Sequence, residues 1–306
     1  MCISFWLLDE HPAFWLVLAM NRDEEKARPS QPIHQWEDEE GCEIVGGRDE
    51  VGGGTWLGIT KTGRLAFLTN FREAENLRPQ GVQRKGVISR GALPREFFKS
   101  HKSPVAYLEE VAQNAHNYDG FNLVVADLNH REMAYLSNRP NGSALKVRKL
   151  TSGLQALSNG SLDSNWPKME RGRKKFEAIL SSVQGDSLPN ELIVEQVLQD
   201  RTPADDVSPQ AAETEWPVEL EEKLGSIFVD YPVLGRPYGT RSMSVIGIRR
   251  DGNVSFFERC LDEGGLWKDH FLQFPTQLQE KPKHPVAEGH IVQDGSERLN
   301  FVCKIS

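Results

Sequence analysis

The chain has 306 residues, of which 38% are hydrophobic and 26% charged, with a formal net charge of −8. That size and apolar share suit one large α+β domain, or two modest ones, with a buried core and a water-facing surface. The acidic balance excludes a global basic field that would attract nucleic acid or anionic membrane.

The four cysteines, Cys2, Cys42, Cys260 and Cys303, are scattered, with no CxxC pair and no zinc-type spacing. They do not form a disulfide framework, so a reducing compartment is expected. The apolar run from Phe14 to Met20 is too short to span a bilayer, and Asp9 and Glu10 stand before it where a presequence would carry basic residues. A cytoplasmic protein that keeps Cys2 is the expectation.

In chain order, residues 2–8 and 14–20 are β-prone runs around the turn-rich "DEHPA", which predicts an opening hairpin. A polar loop is expected over 23–53, ending in the glycine cluster "GGRDEVGGG". "TWLGIT" and "RLAFLTN" flank "KTG" as a second hairpin. Helices follow in "RGALPREFFKS" and "SPVAYLEEVAQNAHNY", the latter with Ser103 and Pro104 at the cap and first turn. Strands return in "FNLVVADL", "MAYLSN", "LKVRKL" and "LQALSNG". Three helical stretches come next. In the first, Trp166, Met169, Phe176, Leu180 and Val183 share one face; the others cover about 189–200 and 216–228, with a Pro/Asp-rich loop over 200–212. "RSMSVIGI" and "NVSFFERC" close the chain's ordered part as a hairpin around "RRDG". One domain over 1–274 and a mobile tail over 275–306 are expected. Strands do not alternate one-for-one with helices, which argues for antiparallel sheets covered by helices and against a doubly wound parallel sheet.

The glycine cluster lacks the Lys-Ser or Lys-Thr of a phosphate-binding P-loop, and Leu57 stands where a dinucleotide fingerprint needs its third glycine. A tight turn or a close backbone approach is the better reading. No histidine pair has metal-ligand spacing, and no GxSxG elbow is present. "NRDEE" follows directly on an apolar strand, so Asn21, Arg22, Asp23 and Glu24 stand at a strand end. Cys2 has a special option. Removal of Met1 would leave a thiol, with a reference pKa of about 8.5, beside an α-amine of about 7.7–8.0, which joins nucleophile and base in one residue. A nearby arginine would lower the thiol further.

"MCISFWLL", "NRDE", "GGTWLGI", "LTNFRE", "SRG", "LSNG" and "YGTRS" occur in that order between residue 1 and about 260. Together they resemble the NRDE family, also called the transport and Golgi organisation protein 2 family. That family in turn resembles the N-terminal-nucleophile hydrolases of the cholylglycine hydrolase branch. The resemblance implies an α+β, four-layer αββα sandwich. It implies Cys2 as the nucleophile, Asn70 of "LTNF" as an oxyanion donor, and Asn159 of "LSNG" as the second asparagine. The hydrolase branch sets an Arg and an Asp three residues apart beside the thiol. Here Arg22 and Asp23 are adjacent and would point to opposite sides of a strand. Either Asn21 and Glu24 fill those places or the local backbone differs; Arg241 of "YGTRS" is an alternative source of positive charge.

Two readings follow. In one, the chain is a binding or trafficking protein on a hydrolase scaffold. The resemblance then implies roles in Golgi organisation, protein secretion and the handling of haem or of acyl-CoA and other lipids. Asn21, Arg22, Asp23, Glu24, Arg90 and Arg241 would contact the ligand, with Arg72 as a further basic partner for an anionic head; haem would take Cys2 as its axial ligand. In the other, it is a cysteine hydrolase that cleaves a linear amide or thioester through an acyl-enzyme on Cys2. Neither requires a resident cofactor or metal. The expected partner is a small acyl, amide or haem ligand, and Golgi or mitochondrial association would come through other proteins.

Overall fold

The computed structural model describes residues 2–74, 88–139 and 144–277. Two antiparallel sheets are stacked face to face. The first has the order β10-β1-β2-β11-β12-β13, built from Gly153–Leu157 (β10), Cys2–Leu8 (β1), Phe14–Glu25 (β2), Tyr238–Arg249 (β11), Asn253–Leu261 (β12) and Trp267–Pro275 (β13). The second runs Ser30–Glu37 (β3), Glu43–Asp49 (β4), Leu57–Ile59 (β5), Arg64–Asn70 (β6), Phe121–Asp127 (β7), Glu132–Ser137 (β8) and Arg148–Leu150 (β9), paired in that order.

Three apolar layers hold the stack. Between the sheets lie Trp6, Leu16, Leu18, Phe67, Val124 and Phe256, among others. Trp6 and Phe67 meet edge-on across this gap at 5.5 Å, a geometry worth about 0.5–1.5 kcal/mol beyond burial. On the outside of the first sheet, Phe5, Val17 and Ala19 pack with Met169 and Phe176 of α3 (Pro167–Ser182) and with Val194 and Val197. The latter belong to a helical stretch that starts as α4 (Asn190–Ile193) and widens to π geometry over Val194–Leu198. On the outside of the second sheet, Ala66, Leu123 and Leu136 pack with Phe97 of α1 (Ala92–Lys99) and Leu108 of α2 (Pro104–Gln113). The order is helix, sheet, sheet, helix, the four-layer αββα sandwich. β2 and β11 are buried along nearly their whole length because both faces are covered.

Several elements depart from the sequence expectation. β2 runs on to Glu25, so "NRDE" lies inside a strand, because the equally long β11 supplies partners as far as Tyr238 opposite Glu25. The stretch read as a polar loop contains β3 and β4. Their signal is weak because β3 is an edge strand interrupted by Pro32, with an irregular register between Gln31 and His34. The Pro/Asp-rich loop gives way to α5 (Ser208–Thr214), and the third helical stretch shortens to α6 (Val218–Lys223). β13 was not anticipated; its outward residues are exposed and its apolar alternation is shallow. Of the tail expected over 275–306, Pro275 instead closes β13, and the residues from 278 onward, with Cys303, lie outside the described residues. Among the described residues no helix is long and apolar enough to cross a membrane.

Candidate functional site at Cys2

Cys2 opens β1 and stands opposite Arg22 in the pairing with β2. Along β1, and from Leu16 onward in β2, even-numbered residues face the gap between the sheets and odd-numbered ones face the helices; the irregularity opposite Ile248 and Arg249 reverses this at Phe14 and Trp15. Cys2 is buried on the inter-sheet side.

The end of β10 fixes its backbone. The Cys2 N–H donates to Asn159 Oδ1 at 3.2 Å, and the Ser158 hydroxyl donates to the Cys2 carbonyl at 3.0 Å. Asn159 Nδ2 donates to the Asn70 carbonyl at 2.7 Å, and the Arg72 N–H donates to the Asn159 carbonyl at 2.6 Å. The Thr69 hydroxyl and the Asn122 amide donate to the Ser158 carbonyl at 2.6 and 3.3 Å. The ends of β1, β6, β7 and β10 are therefore tied together by buried polar groups, across the two sheets. The Asn159 amide has one workable orientation, since a flip would face N–H against N–H and carbonyl against carbonyl.

In front of Cys2 is a cavity of about 200 Å³. Cys2, Arg22, Glu24, Trp56, Asn70 and Arg90 line it. Arg22 lies 4.2 Å from the Trp56 ring centroid and pairs with Asp49 at 3.2 Å and Glu24 at 3.7 Å. Arg28 grips Asp49 with two hydrogen bonds, at 2.6 and 2.9 Å. Burial would raise the Asp49 carboxyl, but the bonds from Arg28 and from the Gly52 N–H, with the charges of Arg28 and Arg22, hold it below the usual carboxylate value. Arg90 donates to the Gly120 carbonyl at 3.0 Å. Burial lowers its guanidinium, opposed by Asp119, Glu24 and Cys2.

The Cys2 thiol itself is pushed up, chiefly by burial and further by the Asp23 carboxylate. The charge of the amino terminus, a backbone hydrogen bond from Asp23 and the charge of Arg22 pull the other way and do not reverse the shift.

The glycines serve close approach. A Cβ on Gly54 would lie 2.2 Å from the Gly91 carbonyl oxygen, so the glycine cluster lets the "SRG" segment dock and brings Arg90 to the cavity. A Cβ on Gly47 would lie 2.3 Å from the Trp56 ring, so this glycine leaves room for the indole under Arg22.

Of the expected site residues, Asn21, Arg72, Arg241 and Asn159 do not line this cavity, and Asp23 borders it with its carboxylate engaged elsewhere. Asn21 faces the helix layer, where its amide donates to the Leu198 and Ile227 carbonyls at 2.8 and 3.0 Å; it braces the 190–198 stretch and does not reach the cavity. Asp23 borders the cavity, yet its carboxylate accepts from the Thr240 hydroxyl at 2.7 Å on the helix side. Burial raises it, opposed by the charge of the amino terminus and by Thr240, Lys168 and Arg72. Arg72 is buried against Glu221 between the rings of Trp166 and Trp216, 5.2 and 5.1 Å from their centroids, and is part of the core. Arg241 lines a second, larger cavity. Asn159 does not line the Cys2 cavity; it stands behind Cys2 and positions it. Asn122, Trp56, Asp49 and Arg28 are the residues of this site that sequence reasoning missed. Trp56 sat in plain view in "GGTWLGI", whereas Asn122 is one polar residue inside an apolar strand.

The chain matches the Transport and Golgi organisation 2 family over residues 1–263. It is 34% identical over 291 residues to the Transport and Golgi organization protein 2 homolog of Homo sapiens, covering 90% of this chain and 100% of that one. The chain belongs to the Transport and Golgi organisation 2 family. The Mus musculus homolog is 32% identical over 289 residues, with the same coverage. Among solved structures, the chain is similar to a Caenorhabditis elegans N-acylethanolamine-hydrolyzing acid amidase ortholog (TM-score 0.44, 13% identity, 80% of this chain and 92% of that one). It is also similar to a conjugated bile acid hydrolase from Clostridium perfringens (TM-score 0.45, 10% identity, 92% and 94%).

Proposed function

We propose that the chain is an acyl-ligand-binding member of its family, which holds the carbonyl end of an acyl thioester or amide in the Cys2 cavity. The observation that carries this reading is the position of Asn159: both ends of its amide are engaged, by the Cys2 N–H and the Asn70 carbonyl. Of the two asparagines expected to stabilise an oxyanion, one lines the cavity and the other positions the backbone. A thiol raised by burial is likewise a poor nucleophile. The cavity keeps what recognition needs, cations at Arg22 and Arg90 and the Trp56 ring. Its volume, about 200 Å³, is below the ~300–1,000 Å³ of most small-molecule and cofactor sites, which favours the end of an acyl chain over a haem macrocycle. In this reading the chain works in the cytoplasm and serves Golgi organisation, secretion and intracellular lipid or acyl-CoA handling.

Calorimetry with N-acetylcysteamine acyl thioesters tests it. Arg90→Gln should weaken binding by about tenfold, the loss of one charge-assisted contact. Unchanged affinity, or no binding by the wild type, would sink the reading.

The hydrolase reading has one observation in its favour, the acceptor Asn159 Oδ1 at 3.2 Å from the Cys2 nitrogen. With Met1 removed, that acceptor would orient a free amine beside the thiol. The amine would take the thiol proton, Sγ would attack the carbonyl with Asn70 donating to the oxyanion, the protonated amine would release the leaving group, and water would free the acid. Intact-protein mass spectrometry checks the premise: a retained Met1 rules this route out.

A further inference from the structure

β11 carries an irregularity that the Cys2 site does not use. Thr240 pairs with Asp23 and Ser242 pairs with Arg22, so Arg241 is an extra residue with no partner in β2. On a regular strand, neighbours point to opposite faces. Here Arg241 and Ser242 both line one cavity, of about 530 Å³, because the bulge turns the arginine to the same side.

Arg241 is only 8% exposed. Its guanidinium donates to the Arg28 carbonyl, and its Nε has no hydrogen-bond partner. Among the described residues it forms no ion pair, whereas its neighbours Arg22 and Arg28 are matched by Asp49 and Glu24. Four carboxylates share the wall, Glu50, Glu258, Asp262 and Glu263, and none pairs with Arg241. A buried guanidinium with an unsatisfied Nε–H and no direct ion pair is costly unless something anionic completes it. The cavity shares Arg22, Arg28 and Trp56 with the Cys2 cavity, so the two adjoin.

We propose that this larger cavity is an anion subsite, in which Arg241 takes a carboxylate or phosphate group of the ligand whose carbonyl end lies at Cys2. The link to Cys2 rests on the acyl-ligand reading; the anion site does not. A planar guanidinium with an unsatisfied Nε–H suits a two-oxygen anion better than an ammonium would.

The test uses the full-length chain. On titration with inorganic phosphate and with acetate, the Arg241 Nε–H resonance should shift saturably for at least one. A response to phosphate alone assigns a phosphate group, and a response to acetate a carboxylate. Arg241→Gln should weaken that anion by about tenfold or more, and Cys2→Ala should leave it unchanged. No saturable shift with either anion, or equal binding by a folded Arg241→Gln chain, would overturn the site. The resonance itself reports if the glutamine variant does not fold. The link is read separately, with pentanoyl and glutaryl N-acetylcysteamine thioesters if acetate binds, or with a phosphorylated acyl thioester if phosphate alone does. The anionic member should bind more tightly in the wild type and lose that advantage in Arg241→Gln. Anion binding without that advantage removes the link and keeps the site. Anion binding with no thioester binding at all defeats the acyl-ligand reading alone.

Discussion

Asn159 carries more of the local order than its place in a four-residue motif suggests. Its side chain is the acceptor for Cys2 and the donor for Asn70, so Asn159→Ala leaves both without a partner. We expect a loss of about 2–4 kcal/mol in urea unfolding, given about 1–3 kcal/mol per stranded group. Asn159→Asp keeps the acceptor for Cys2 but sets a buried carboxylate oxygen against the Asn70 carbonyl, so it should lose at least as much. A change within about 0.5 kcal/mol for the alanine variant, the range of an ordinary surface site, would show that these bonds contribute nothing. Glu258 makes a second prediction at this scale. It is fully buried beside the Ile33 N–H, which donates to it at 2.7 Å, and burial pushes its carboxyl from 4.5 up to about 7. The folded state therefore binds the proton more tightly than the unfolded one. The stability this contributes is present below pH 4.5 and is lost as pH rises through about 7. Glu258→Gln should flatten that part of the stability–pH curve; an unchanged slope would contradict the assignment.

Among elements, β2 shows best what the sequence could and could not say. Its apolar half was legible because seven consecutive apolar residues fit a strand covered on both faces. Its polar half was not, since "NRDEE" reads as a loop until β11 is known to pair with it. The alternation of Arg22 and Asp23 followed from strand geometry alone, and the structure keeps it. The bulge at Arg241 could not be read, because a one-residue register shift leaves no mark on composition. The glycine cluster was legible in kind, as a close approach, but its partner Gly91 lies 37 positions further along the chain from Gly54 and only the fold brings them together. Gly54→Ala should therefore act as an overpacking change, costing about 1–3 kcal/mol and weakening acyl-thioester binding as the segment bearing Arg90 shifts. Unchanged melting temperature and affinity would contradict that role.

At the scale of the whole molecule, antiparallel sheets covered by helices were legible because strands and helices come in separate blocks, and the motif resemblance supplied the four-layer sandwich. Motif resemblance placed Cys2, Asn70 and the "NRDE" segment at one end of it. What the motifs could not convey is how the two faces of β1 and β2 divide the polar residues. Cys2 and Arg22 face a cavity, while Asn21 and the Asp23 carboxylate face the helix layer. That division underlies the claim that the chain binds an acyl ligand without consuming it. The most direct measurement is the fate of an acyl thioester incubated with wild-type and Cys2→Ala chains, followed by intact-protein and small-molecule mass spectrometry. The account predicts ligand recovered unchanged, in equal amounts, from both. A free acid product, or an acyl adduct on Cys2, present in the wild type and absent from Cys2→Ala would contradict it.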